Sequence, residues 1–169
     1  MRHAPIDSKL FATHRKNLSD RLPKKALAIT NANDVLPTNA DGIFPIHPNS
    51  DLFYVSGIEQ EESILVLFPD CPNPRHREIL FLREPSEHLK IWEGYKHSKE
   101  DAQKISGIQT IYWTNDFDNI FQLLAAEAET FFLNDNEHSR AANKVETRDQ
   151  RFNKKIRLDY PLHKTDRLA

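Results

Sequence analysis

The chain has 169 residues, 38% of them hydrophobic and 28% charged, with a formal net charge of −2. That length suits one domain with a real core rather than two, and the composition is that of a globular chain, not a disordered one. The near-balanced charge leaves no general field for a phosphate backbone, so no nucleic-acid partner is expected. Cys71 is the only cysteine, which excludes an internal disulfide and any cysteine-built zinc site. It lies in "PDCPNPRH", a turn-like stretch that reads as a loop with an exposed thiol. The opening residues "MRHAPIDSKL" lack the apolar core of a signal peptide, and no run reaches transmembrane length. No membrane partner is expected, and the cytoplasm is the expected location.

Leu10, His14, Leu18 and Leu22 recur at four-residue steps beside Phe11, which predicts an amphipathic helix capped by Asp7 or Ser8. Pro23 ends it, because a proline pushes the preceding residue out of the helical region. A strand is predicted at Lys25–Thr30. The stretch "NANDVLPTNADGIFPIHPNSD" that follows is rich in Asn, Asp and Pro and reads as a long loop. Ser50 or Asp51 is the expected cap of a short helix, with Phe53 and Tyr54 packed beneath it. Gly57 and Gly94 read as turn positions where a positive φ costs little. Strands at Glu62–Phe68 and Glu78–Leu82 are continuous apolar runs, as in a sheet covered on both faces. Too few residues separate them for a helical crossover, so they are predicted to pair antiparallel.

Ser98 with Asp101 makes a capping pair for the helix in "SKEDAQKISGI", and Gly107 suits its left-handed stop. A strand follows at Ile108–Trp113. Phe117, Ile120, Phe121, Leu124 and Ala128 trace a helical stripe, with Asn115 as the expected cap and Asp116 and Asp118 near the positive end of its dipole. Thr130–Leu133 reads as the next strand, and Arg140 to Leu158 as a longer, weaker helix. The basic run "RDQRFNKKIR" lies on that helix and reads as a solvated face. Alternating strands and helices predict an α/β class: a three-layer α/β/α domain with a mixed sheet.

Chemistry is harder to find. The eight histidines are scattered, and none falls in a metal-binding spacing such as H-E-x-x-H. "DNEHSRAANKVE" has the end residues of a calcium loop, Asp135 and Glu146, but places Arg140 where the sharp turn needs glycine. No glycine-rich phosphate loop or G-x-S-x-G elbow is present. Residue patterns alone assign no catalytic residue and no metal ligand to this chain.

Three stretches together carry a resemblance. "HPNSDLFYVSGIEQEESILVLFPD" resembles the segment that aminopeptidase P family proteins carry as a Ser-Asp-aromatic-aromatic-Leu-Thr-Gly run, followed by an acid and an apolar strand. "EILFLREPSEHLKIWEGYK" is similar to their next strand, a short acidic loop and an Ile-Trp-x-Gly element. "SKEDAQKISGI" is similar to the helix that follows. Two departures stand out: Ile46, His47 and Pro48 replace an aromatic and an arginine before the Ser-Asp, and Tyr95 and Lys96 replace two arginines after the glycine.

The resemblance implies residues 1–158 as an aminopeptidase P N-terminal domain, with 159–169 beginning a linker to a C-terminal metallopeptidase domain. It implies Xaa-Pro aminopeptidase activity in the parent protein, with two divalent metals, expected to be manganese, held by that further domain and none by this chain. It further implies proline-containing peptides as substrates and a homo-oligomer, with this domain helping to form the cleft. Trp92 admits two readings. By its own residues it is a ring that covers the sheet, whereas the resemblance makes it an aromatic lip that binds substrate. Two other functions stay open: a stand-alone binding or oligomerisation module, and a pseudoenzyme relative.

Overall fold

The computed structural model describes residues 5–38, 42–85, 95–135 and 146–168. Their elements, in chain order, are α1 (Ser8–Ser19), β1 (Ala26–Asn31), α2 (Ser50–Ser56), β2 (Ile64–Leu67), β3 (Glu78–Leu82), α3 (Lys99–Ser106), β4 (Thr110–Trp113), α4 (Phe117–Ala125), β5 (Thr130–Leu133), α5 (Arg148–Asp159) and β6 (Lys164–Arg167). The six strands form one mixed sheet in the order β4-β3-β2-β1-β5-β6. β2 runs antiparallel to β1 and β3, while β1–β5, β3–β4 and β5–β6 are parallel pairs. The predicted antiparallel partnership of β2 and β3 is present, with only a short 3-10 turn at Pro74–His76 between them.

Successive strand residues face opposite layers. Leu27, Ile29, Val66, Ile79, Phe81 and Phe131 join Phe117, Phe121 and Ile156 in one core. Ala28, Leu65, Leu80 and Leu82 join Leu52, Val55 and Ala102 in the other. Helices α1 to α3 therefore cover one face, and α4 and α5 the other. This is the three-layer α/β/α architecture with a mixed sheet that the apolar runs predict.

Local chemistry accounts for most boundaries. The Asp7 side chain accepts from Lys9 N, and Ser98 accepts from Asp101 N, as expected of caps. Gly57 and Gly107 close α2 and α3 at φ 71° and 75°, in the left-handed region that glycine adopts most cheaply.

Three boundaries differ from expectation and a fourth is described in part. Asn49, not Ser50 or Asp51, caps α2: its backbone is extended and its side chain accepts from Asp51 N and Leu52 N. Asn115 caps nothing, because Thr114–Asp116 is a 3-10 turn that enters α4 already in helical conformation, and a side-chain cap needs an extended residue. The helix expected over Arg140 to Leu158 is seen as α5 from Arg148, with Thr147 and Gln150 forming a capping box, while 140–145 lie outside the described residues. α1 ends at Ser19, and its buried residues are Phe11 and Arg15 while Leu10 is exposed.

Two further features were absent from the strand and burial expectations. Residues 164–167, inside the stretch expected to begin a linker, form β6 and pair with β5. Cys71 is not an exposed thiol: it is 3% exposed and packs into the aromatic core.

Candidate functional site

β1 and β5 are parallel neighbours whose chains leave in opposite directions, β1 toward β2 and β5 toward β6. Such a divergence opens a crevice beyond the carboxyl ends of the strands. A groove of about 840 Å³ lies there, lined by Thr30 in β1 and Asn33 just after it, Asn134 and Asp135 after β5, and Arg167 and Leu168 at the end of β6. His14 from α1, Arg21 just after it, Asp51 and Tyr54 from α2 and Asp149 from α5 add to its walls.

Amides tie this wall together. Asn134 Nδ2 donates to Asp51 Oδ2 at 3.1 Å, Asn153 Nδ2 to Asn134 O at 2.9 Å, and Asn31 Nδ2 to Asp149 Oδ1 at 3.0 Å. Burial pushes the Asp149 carboxyl up to about 6, with the nearby charges of Asp135 and Asp51 acting the same way and the Asn31 amide opposing them. Thr30 Oγ1 and Asn31 Oδ1 are buried without a hydrogen-bond partner. Tyr54 does not pack beneath α2 as expected. It is 57% exposed and stacks on His14 with ring centroids 3.8 Å apart, because His14 Nδ1 bonds Tyr54 O at 2.7 Å and holds the rings in register. With three carboxylates beside Arg21 and Arg167, the lining suits polar groups of either sign.

A second recess adjoins the first, bounded by Leu36, Phe44, His47 and Arg148. Phe44 N donates to Leu36 O and Thr38 N to Gly42 O, both at 2.9 Å, so part of the long Asn- and Pro-rich stretch is a small antiparallel ribbon.

A third polar centre sits where β2 begins and β3 ends. Glu61 is 4% exposed and Lys96 6%, and their side chains form an ion pair. Arg83 Nη1 lies 3.7 Å from both Glu61 and Glu62. Gln60 Nε2 donates to Arg83 O at 3.4 Å, and Gln60 Oε1 accepts from His97 N at 2.7 Å. Pattern reasoning missed this cluster, since the acids of "EQEES" read as solvated. The one available signal was their position between a glycine stop and a fully apolar strand.

Trp92 and Gly94 lie outside the described residues. Among the described residues no three His, Cys, Asp or Glu side chains gather in a way that holds a metal ion. The resemblance places its two-metal centre in a further domain, and no catalytic step is derived through one on the described residues. Among the described residues no helix is long and apolar enough to cross a membrane.

Residues 11–132 match the family described as aminopeptidase P, N-terminal domain. The human Xaa-Pro aminopeptidase 3 is 26% identical over 129 residues, covering 69% of this chain and 25% of that protein. The Xaa-Pro aminopeptidase of Escherichia coli (strain K12) is 25% identical over 120 residues, covering 70% and 27%. This chain thus spans about a quarter of the length of these relatives. In three dimensions it superposes on a Bacillus anthracis protein described as an aminopeptidase P with a TM-score of 0.83 at 24% identity, over 96% of this chain and 38% of the other. The match runs through α1 and β1 to β5, and by it the chain belongs to the aminopeptidase P N-terminal domain family.

Proposed function

We propose that this chain is the non-catalytic N-terminal domain of a two-metal Xaa-Pro aminopeptidase of the cytoplasm, and that it helps to form the substrate cleft and the oligomer. The observation that carries this reading is the family match over residues 11–132, in relatives of which the chain spans only about a quarter. The metals, expected to be manganese, are assigned to the remainder of such a protein, and no step of peptide hydrolysis is assigned to this chain. Trp92 is the residue proposed to meet substrate, as an indole that stacks on a proline ring or an apolar side chain.

The test has two arms. The 169-residue chain is incubated with manganese and an Xaa-Pro peptide: neither turnover nor stoichiometric metal is expected, and chelator-sensitive hydrolysis would overturn the assignment. In the full-length parent, Trp92→Ala should lower kcat/KM by the equivalent of about 1 to 3 kcal/mol. A core ring would instead cost roughly 3 to 5 kcal/mol of stability on truncation. A large fall in the denaturation midpoint with unchanged kinetics would return Trp92 to the role of sheet cover.

A further inference from the structure

The groove beyond β1 and β5 is richer in acceptors than in donors. Thr30, Asn31 and Asn153 are 4%, 1% and 3% exposed, and Thr30 Oγ1, Asn31 Oδ1 and Asn153 Oδ1 have no hydrogen-bond partner. Thr30 lines the groove itself. It shares a face of β1 with Ala28, so its side chain points to the layer that holds α2. The two asparagines stand behind the wall. Asn31 Nδ2 donates to Asp149, Asn153 Nδ2 to Asn134 O, and Asn134 Nδ2 to Asp51. The amide nitrogens are thus turned to acceptors of the protein, while oxygens are left over, and a buried oxygen without a donor is costly.

Charge follows the same division. Asp149 is half-buried, whereas Asp51, Arg21 and Arg167 are exposed on the rim, where water and salt screen them. The inner end is therefore a carboxylate among oxygens that lack donors. An anion would add further acceptors there, and only a group with several N–H donors and a positive charge supplies what the wall lacks. Tyr54, 57% exposed and stacked on His14, adds an aromatic surface on which a cation or its hydrocarbon stem can rest. Leu18 and Val55 add apolar lining beside it.

We propose that this groove binds a small aliphatic amine, whose ammonium N–H groups donate to Asp149 and Asp51 at the Thr30 end while its hydrocarbon body lies along Tyr54. The site needs no metal and no peptide hydrolysis, so it stands or falls independently of the aminopeptidase reading.

Putrescine is the probe, titrated into the 169-residue chain at fixed ionic strength and followed by amide NMR and calorimetry. Saturable binding is expected, with shifts at the amides of Tyr54, Asn134 and Asp149 and none at Ile79 and Leu80 in β3. The permethylated bis-quaternary analogue of putrescine keeps both charges but has no N–H group, and it should not bind. Equal binding of the two, or no saturable binding of putrescine, would overturn the site. Nα-acetyl-lysinamide separates a free amine from a lysine side chain carried by a polypeptide, and tighter binding of that probe would overturn the assignment to a free amine.

Asp149→Asn keeps an acceptor for Asn31 Nδ2 and is expected to fold. It should weaken putrescine about tenfold or more, the order expected for loss of a charge-assisted hydrogen bond. Asp51→Asn should act in the same direction. The thermal midpoint without putrescine reports any damage to the fold separately from the loss of binding. Unchanged putrescine affinity in a folded Asp149→Asn chain would overturn the proposal.

Discussion

Arg15 Nε lies 3.0 Å from Glu78 Oε2, joining the middle of α1 to the start of β3 across 63 residues of sequence. The arginine is 1% exposed, and its Nη1 also donates to Val55 O at 2.9 Å and Ser106 O at 3.0 Å. Those carbonyls belong to the last turns of α2 and α3, where helix dipoles present negative partial charge. One guanidinium therefore fastens three helices to the sheet.

Arg15→Met should remove about 3 to 5 kcal/mol of stability, because two buried carbonyls lose their donor and Glu78 loses its partner. Glu78→Gln should cost about 1 kcal/mol or less, since the amide oxygen still accepts and the side chain is part-exposed. Chemical denaturation of the two variants measures both. Equal losses would mean that the ion pair, rather than the helix carbonyls, is what Arg15 provides.

Gly57 and Gly107 share a positive φ but not a neighbourhood. A Cβ on Gly57 would lie 2.5 Å from Phe11 Cε2, whereas one on Gly107 would meet Ser8 Cβ at an ordinary 3.6 Å. Gly107→Ala should cost about 1 to 2 kcal/mol for the left-handed backbone alone. Gly57→Ala should cost clearly more, and Gly57→Ala combined with Phe11→Leu should recover part of the excess relative to Phe11→Leu alone. Similar midpoints for the two alanine variants would show that the Phe11 ring moves aside freely.

The Asp149 carboxyl is held up at about 6 against an ordinary value of 3.8, chiefly by burial. The folded state thus binds this proton more tightly than the unfolded chain. The resulting stability is fully present below the unfolded value and is lost as pH rises through the folded one. Asp149→Asn removes the charge, keeps an acceptor for Asn31 Nδ2 and brings a donor toward the unpartnered Asn31 Oδ1. Its melting temperature relative to the native chain should rise between pH 4.5 and pH 8. A difference that does not change with pH would assign the effect to packing or to the helix dipole.

Burial also pushes the Cys71 thiol above its ordinary range, so the native chain should react slowly with a thiol reagent. Labelling should quicken with denaturant in parallel with loss of the fold, because the sulfur packs in the aromatic core rather than at a loop tip. Rapid labelling under native conditions would contradict that packing.

The sequence by itself determined what short-range physics determines. Apolar runs predicted as strands at Glu62–Phe68 and Glu78–Leu82 marked β2 and β3, and the short link between them required an antiparallel turn. Ser98 and Gly107 marked helix ends, Asp7 or Ser8 a cap and Gly57 a turn position, because a cap bonds backbone two to four residues away and a left-handed stop is a property of one residue. The family resemblance was legible for the same reason, since its motifs are contiguous. Tertiary structure decided the rest. β6, "KTDR", has no apolar period to read, because an edge strand is held through the backbone of its neighbour rather than by a buried face. Arg15, Cys71, Gln60 and Glu61 are buried for reasons that lie elsewhere in the chain: carbonyls at 55 and 106, the aromatic core, and the partners at Arg83 and Lys96. A charged side chain reads as solvated until a folded neighbour supplies its counter-charge and hydrogen bonds, and those neighbours meet only when the sheet assembles.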